Sequence, residues 1–272
     1  MSKPSTLRQF VRSVLHEGAA TAKMASQRNL ALMTYEESDN YRTYTLFDRN
    51  AFVHTLLEII HEAVKGSPEY PGFRSTVHEL LKFMRRSGPE KDWVMEQMVD
   101  RCRQYMVATA DVERHYQAEQ GGQANGAWQM HGPAAVDKYG PLIYDIAMAD
   151  TKELMPDRRT PSASAQKIWK FYKNSRPDVV STPLDNADDP VTPQVSDDSK
   201  VHNPGRDNFG NFLDSSYHLA GSKPNVADLR STYRQMTAQL KKKKISSGFV
   251  KRILIDASES FFYKLELEKK SA

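Results

Sequence analysis

The chain has a single cysteine, Cys102, and no long run of apolar residues among its 272 positions. One thiol cannot close an internal disulfide, and it is too few for a cysteine-based zinc or iron–sulfur site. No window approaches the roughly 18 apolar residues that a membrane-spanning helix needs, and the N-terminus lacks the apolar segment of a secretory signal. These absences favour a cytoplasmic or nuclear protein that does not enter a membrane.

The signature motifs of several enzyme classes are also missing. The sequence contains no Gly-x-Ser-x-Gly, no Gly-x4-Gly-Lys-Ser/Thr phosphate loop and no Gly-x-Gly-x-x-Gly. Cys102 lies in a predicted helix between two arginines, and no motif supplies its base, so a structural thiol is the better interpretation. We therefore predict a non-enzymatic protein that uses no cofactor.

One histidine-containing stretch matches a metal site only in part. A helix would place His54, Glu58, His61 and Glu62 along nearly one side, and Glu58 to His61 has the Glu-x-x-His form of carboxylate-bridged metal sites. Such sites need a second copy, which the sequence does not contain. A polar border beside an apolar stripe is the simpler interpretation, so no metal site is predicted.

Apolar residues recur at helical spacing along much of the chain. Asp48 opens a strong helix that ends at Gly66, and Gly140 and Ser162 open two more. Residues 41–47 are the one stretch whose composition favours a strand, and one strand forms no sheet. The pattern therefore predicts an all-α fold. Further helices are predicted near residues 7–15, 77–86 and 90–115.

Composition divides the chain into three predicted segments. Residues 1–173 form a multi-helix domain. Residues 174–224 mix several prolines with Asp, Ser and Asn, which is typical of a flexible linker, although the apolar residues from Phe209 to Leu219 fit a docking motif. Residues 225–272 form a hairpin of two helices joined by a lysine-rich turn.

Positive charges give the best functional signal. Six cations surround the turn of the predicted hairpin, where they can contact phosphates: Lys241, Lys242, Lys243, Lys244, Lys251 and Arg252. Arg158 and Arg159 precede a second basic stretch in which the ring of Trp169 could stack on unpaired bases. The alternative is that the lysines end a helix and hydrate its turn, and that the rings belong to the core.

These observations predict an assembly or adaptor protein, nucleocapsid-like or part of a ribonucleoprotein, that binds RNA through its C-terminal hairpin. Its partner is RNA or an acidic protein surface. Two short helices cannot bury their own apolar stripes, which predicts that the hairpin packs on the first domain, on a second copy of the chain or on a helical partner. A scaffold without nucleic acid and a small helical metal-dependent enzyme are the alternatives. Thr160, Thr182 and Thr192 precede prolines and are candidate phosphorylation sites.

Overall fold

A computed structural model describes residues 29–65, 89–114, 128–136, 139–157, 161–183, 215–220 and 226–271. Within these ranges the chain forms seven strands and six helices, so the predicted all-α class is wrong and the fold is mixed α/β. The strands are β1 Leu30–Ser38, β2 Tyr41–Asp48, β3 Met106–Arg114, β4 Trp128–Ala135, β5 Leu154–Met155, β6 Val179–Pro183 and β7 Ser215–Leu219. The helices are α1 Arg49–Lys65, α2 Pro89–Arg103, α3 Gly140–Thr151, α4 Ala163–Ser175, α5 Val226–Lys242 and α6 Ser247–Ser271.

The strands form one sheet in the order β1-β2-β3-β4-β5-β7-β6. A two-residue connection makes β1 and β2 an antiparallel hairpin. A backbone hydrogen bond joins the residue before β2 to the end of β3, since Arg114 N donates to Asn40 O at 2.7 Å. β4 and β5 are parallel, whereas β5, β7 and β6 follow one another antiparallel. The parallel pairing of β4 with β5 therefore interrupts the antiparallel order of the neighbouring strands.

The error in fold class has a physical cause at β3. The predicted helix 90–115 is two elements, because α2 ends at Arg103 and β3 begins at Met106. Along β3, Ala108, Ala110 and Val112 are buried and Val107, Asp111 and Glu113 are half-buried, which is the period of a strand with one exception at buried Thr109. Alanine and methionine also favour helices, so pairing with another strand overrides a weak local preference.

Two strands lie within the predicted linker 174–224. β6 and β7 pair over five positions, from Val179 opposite Leu219 to Pro183 opposite Ser215. Tyr217 and Leu219, which belong to the predicted docking motif, are buried in β7. The serine, histidine and proline residues of β6 and β7 do not indicate strands in the sequence. The two strands are defined by backbone pairing between segments that are far apart in the chain. The predicted helices near 7–15 and 77–86 lie outside the described residues.

The chain divides into two compact units, and the division falls within β1, β2 and β3. Of the described residues, unit 1 contains those in 35–44 and 110–226, and unit 2 contains those in 25–34, 45–109 and 227–272. In unit 1, Trp169 of α4 packs against Tyr144 of α3 and Tyr217 of β7, with ring centroids 5.1 Å and 4.9 Å away. This buried aromatic cluster fixes α3 and α4 on one side of the strands of unit 1.

In unit 2, α5 and α6 are the two helices predicted for the C-terminal hairpin. Their apolar stripes are buried, including Met236 of α5 and Ile253 of α6. Arg103 of α2 donates to Ser260 Oγ of α6 at 3.0 Å, so the hairpin packs against the rest of its unit. In the part of the chain described above, no helix is both long and apolar enough to cross a lipid bilayer.

Candidate functional site

The histidine-containing stretch lies on the surface of α1. His54 Nδ1 is 3.2 Å from Glu58 Oε2, and Glu62 pairs with Arg101 of α2 at 2.5 Å. Among the described residues, no group of three or more His, Cys, Asp and Glu side chains is arranged to hold a metal ion. The stretch therefore has the geometry of a polar helix border, in which Glu58 pairs with His54 and Glu62 pairs with Arg101.

Cys102 lies in α2 and is fully buried. Burial raises the pKa of its thiol to about 12, against a smaller opposing effect of Arg101. At neutral pH the sulfur is therefore protonated, and a protonated thiol is neither a nucleophile nor a good metal ligand.

The predicted basic residues of the hairpin lie in the turn between α5 and α6 and in the adjoining ends of these helices. Lys241 to Lys244 are all exposed, Lys251 is half-buried, and Arg252 is exposed with its Nε 2.8 Å from Asp256 Oδ2. We call these six residues the basic elbow. Arg158 and Arg159 lie outside the described residues. Trp169 is buried in the core of unit 1, which agrees with the alternative interpretation that its ring belongs to the core.

A cluster that the sequence did not single out lies on one face of unit 1. Five polar side chains come from alternate positions of three strands, and alternate positions point to the same face. We call this group the sheet cluster: Tyr41 and Thr43 of β2, Asp111 and Glu113 of β3, and His131 of β4. All five are half-buried.

Hydrogen bonds join three members of the sheet cluster, and the other two lie within ion-pair distance of each other. Thr43 Oγ1 donates to Asp111 Oδ1 at 2.6 Å, and the hydroxyl of Tyr41 is a second donor to the same carboxyl group. His131 Nε2 lies 3.6 Å from Glu113 Oε2. The cluster thus combines an imidazole, two carboxyl groups and two hydroxyl groups, which are the groups used for proton transfer.

Burial changes the proton affinity of Asp111. It raises the pKa of the carboxyl group, and the donors Thr43 and Tyr41 and the nearby His131 only partly offset this increase. The pKa of Tyr41 is also raised, first by burial and then by the charge of Asp111. A carboxyl group with a raised pKa exchanges protons closer to neutrality, while Tyr41 remains a donor.

His131 lies where β4 separates from β5. The two parallel strands pair only at Trp128 opposite Leu154 and at Gln129 opposite Met155, whereas β4 continues to Ala135. Within the described ranges, the edge of β4 from Met130 onward has no pairing from β5. Gly132 has a φ of 46°, a left-handed conformation that in a strand is typical of a β-bulge. The pairing with β5 therefore ends at Gln129, two residues before His131, where β5 itself ends at Met155.

Helix α3 begins at Gly140, shortly after β4 ends. Its first turn contains no acidic side chain, and the N-terminus of a helix carries a partial positive charge. A Cβ at Gly140 would lie 3.5 Å from Ile168 Cδ1, which is ordinary contact, so α4 packs closely against this end of α3.

A buried network holds the first turn of α3 in place. The hydroxyl oxygen of Tyr172 lies 2.8 Å from Asp145 Oδ1 and 2.9 Å from Pro141 O. Arg176 binds Asp145 at 3.2 Å and Asp178 at 2.6 Å. Burial raises the pKa of Asp145, and the charge of Arg176 opposes this effect. The helix terminus is thus fixed by contacts within unit 1.

No protein-family model, curated protein or solved structure matches this chain. What the residues can do chemically therefore follows from geometry alone. The sheet cluster can accept and return a proton, the edge of β4 that no described strand pairs beyond Gln129 can pair with an extended chain, and the N-terminus of α3 can attract an anion.

Proposed function

We propose that unit 1 is a transferase that binds an acyl-coenzyme A thioester along β4 and passes the acyl group to an amine. The observation that carries this proposal is the position of His131, which lies within the sheet cluster and also at the point where β4 loses its pairing with β5. Within the described part of the chain, proton-transfer groups therefore occur beside a strand edge that β5 does not pair.

The free edge of β4 and the start of α3 support the choice of cofactor. Ligands of α/β sheets commonly bind beyond the carboxyl ends of parallel strands, with phosphates at the following helix N-terminus. An unpaired strand edge binds extended chains that carry amide groups. Coenzyme A combines a diphosphate with an extended arm that contains two amides, so it suits both features.

The length of β4 supports the orientation of this cofactor. At about 3.4 Å per residue, the strand rises roughly 14 Å from His131 to Ala135. Phosphates near α3 would leave an arm running back along the strand toward His131. The reacting thioester would then lie beside the sheet cluster.

The sheet cluster supplies the proton transfers of the proposed reaction. His131, paired with Glu113, accepts a proton from the attacking amine, and Asp111 binds the amine while Thr43 and Tyr41 hold the carboxyl group in place. A bond forms between the amine nitrogen and the acyl carbon, and the bond from that carbon to sulfur breaks. The thiol leaves with the proton that His131 returns.

Release of free thiol from acetyl-coenzyme A, measured against a panel of primary amines, tests this function. We expect thiol release that depends on both the protein and an amine, and an about 100-fold or greater loss of turnover in His131→Ala. His54→Ala is the matched control, because His54 is exposed on α1 and should leave turnover unchanged.

Two results would contradict the proposed acyl transfer. If calorimetry detects no binding of coenzyme A to the folded protein, the proposal is wrong. A turnover that survives in both His131→Ala and Asp111→Asn would also contradict it, because the reaction would then be independent of the sheet cluster.

A thiol cofactor fits the reducing cytoplasm or nucleus that the single cysteine favours.

A further inference from the structure

Charge is strongly segregated along α5 and α6. Residues 229–255 contain no acidic residue and eight cations: Arg230, Arg234, Lys241, Lys242, Lys243, Lys244, Lys251 and Arg252. The whole chain has a net charge of +4, so the remaining residues together carry +4 − 8 = −4. Helices α5 and α6, together with the turn between them, contain eleven cations and five acidic residues, a net charge of +6, and their positive charge is concentrated in residues 229–255.

The basic elbow is a defined turn with a fixed backbone. Ile245 N donates to Leu240 O at 3.0 Å, and Lys244 N donates to Lys241 O at 2.9 Å. This pair of bonds is the Schellman motif, which often includes an apolar contact at its ends. Leu240 and Ile245, the residues at those ends, are buried. The buried side chains of Leu240 and Ile245 therefore hold the turn against the protein, while its lysines are exposed to solvent.

Lys244 occupies the position of this motif that glycine normally fills. Its φ is 66°, in the left-handed region where a side chain costs about 1–2 kcal/mol. The chain thus carries a fourth consecutive lysine at the one place in the turn where the backbone disfavours it. Residues in such conformations concentrate at binding sites.

We propose that the basic elbow binds the phosphate backbone of nucleic acid without reading its sequence. Four consecutive exposed ammonium groups suit a row of phosphates, and lysine contacts a phosphate as a point charge without fixing the base. This inference concerns unit 2 and does not depend on the proposed acyl transfer.

Two other partners fit the elbow less well. Binding to an anionic membrane surface generally adds exposed apolar residues to the cations, and here the apolar residues nearest the lysines, Leu240 and Ile245, are buried. Protein interfaces are enriched in aromatic residues and arginine and depleted of lysine. The elbow is dominated by lysine, and phosphates are the partner that this composition favours.

The test is fluorescence anisotropy of a labelled single-stranded RNA and a labelled duplex DNA with the full chain over a salt series. Logarithmic plots should be linear, because binding to phosphates releases counterions. Replacing Lys241, Lys242, Lys243 and Lys244 with Gln should reduce the slope by about 3 for RNA and by about 3.6 for duplex DNA. We expect at least about tenfold weaker binding at low salt.

A variant with the same change in charge elsewhere is the control. Lys152, Lys167, Lys170 and Lys264 are also exposed, and their replacement with Gln should leave the slope unchanged. Equal losses in both variants would overturn the proposal, since binding would then follow net charge alone. No binding to either nucleic acid, or tighter binding to anionic lipid vesicles, would also overturn it. Circular dichroism and thermal melting confirm that each variant is folded.

Discussion

At the residue scale, the left-handed backbone of Lys244 predicts that a glycine there is stabilising. Glycine removes a conformational cost of about 1–2 kcal/mol and adds about 0.5–1 kcal/mol of unfolded-state entropy. Lys244→Gly should therefore raise the free energy of unfolding by about 0.5–1 kcal/mol in urea. Lys243→Gly removes the same charge from a position without a positive φ, so it should give no gain. A gain in both variants would mean that charge repulsion, and not the backbone, is relieved.

Asp111 predicts a second residue-scale effect, on the dependence of stability on pH. Its pKa is raised in the folded protein, so the folded state holds this proton more tightly than the unfolded state. The resulting stabilisation is complete below the unfolded pKa and is lost as pH rises through the folded pKa. Asp111→Asn can still accept from Thr43 and Tyr41, and it removes this loss.

Urea unfolding between pH 3 and pH 7 measures this effect. The variant should gain stability relative to the natural chain as pH rises, with the smallest difference at the acid end of the range. A variant that is relatively less stable at pH 7 than at pH 3 would contradict the raised pKa. Because the same substitution should abolish acyl transfer, it separates function from stability at one position.

At the element scale, the attachment of α3 to α4 depends on Tyr172. Tyr172→Phe leaves Asp145 and Pro141 O without their shared hydroxyl donor in a buried environment. We expect the free energy of unfolding to fall by about 1–3 kcal/mol. Tyr263→Phe is the control, because Tyr263 is largely exposed and should show little change. Equal effects in the two variants would show that the buried network does not hold α3.

Several elements could be predicted because their signals are local. Asp48 Oδ1 accepts from Ala51 N at the start of α1, and Ser162 Oγ accepts from Ala165 N at the start of α4. A cap and an apolar stripe are written in neighbouring residues. Strands need partners that lie far away in the sequence, and β3 and β7 were therefore interpreted as helix and linker. The sequence therefore predicts where helices begin, but it does not predict which strands pair.

At the scale of the whole molecule, binding of coenzyme A predicts a change in overall stability. A ligand that binds only the folded state at 100 times its Kd adds about 2.7 kcal/mol. Thermal melting with increasing coenzyme A should therefore raise the Tm. Pantetheine lacks the phosphates and adenosine diphosphate lacks the arm, so each should give a smaller increase at the same concentration. Full stabilisation by adenosine diphosphate alone would exclude a role for the free edge of β4.

The sheet cluster illustrates why the site could not be found from the sequence. Thr43, Asp111 and His131 lie far apart in the chain, and no motif joins them. Sheet order alone makes them neighbours. Four of the six residues of the basic elbow, in contrast, are consecutive lysines, so its location could be predicted, although the strained backbone at Lys244 could not.

The short strand β5 has a mechanical consequence for the sheet. It pairs with β4 at two positions and with β7 at one, Leu154 opposite Tyr217, whereas β6 and β7 pair at five. Among the described residues of β4 to β7, β5 has the fewest paired positions to resist a pulling force applied across the strands. Under such a force, we expect β5 to separate from its neighbouring strands before β6 separates from β7.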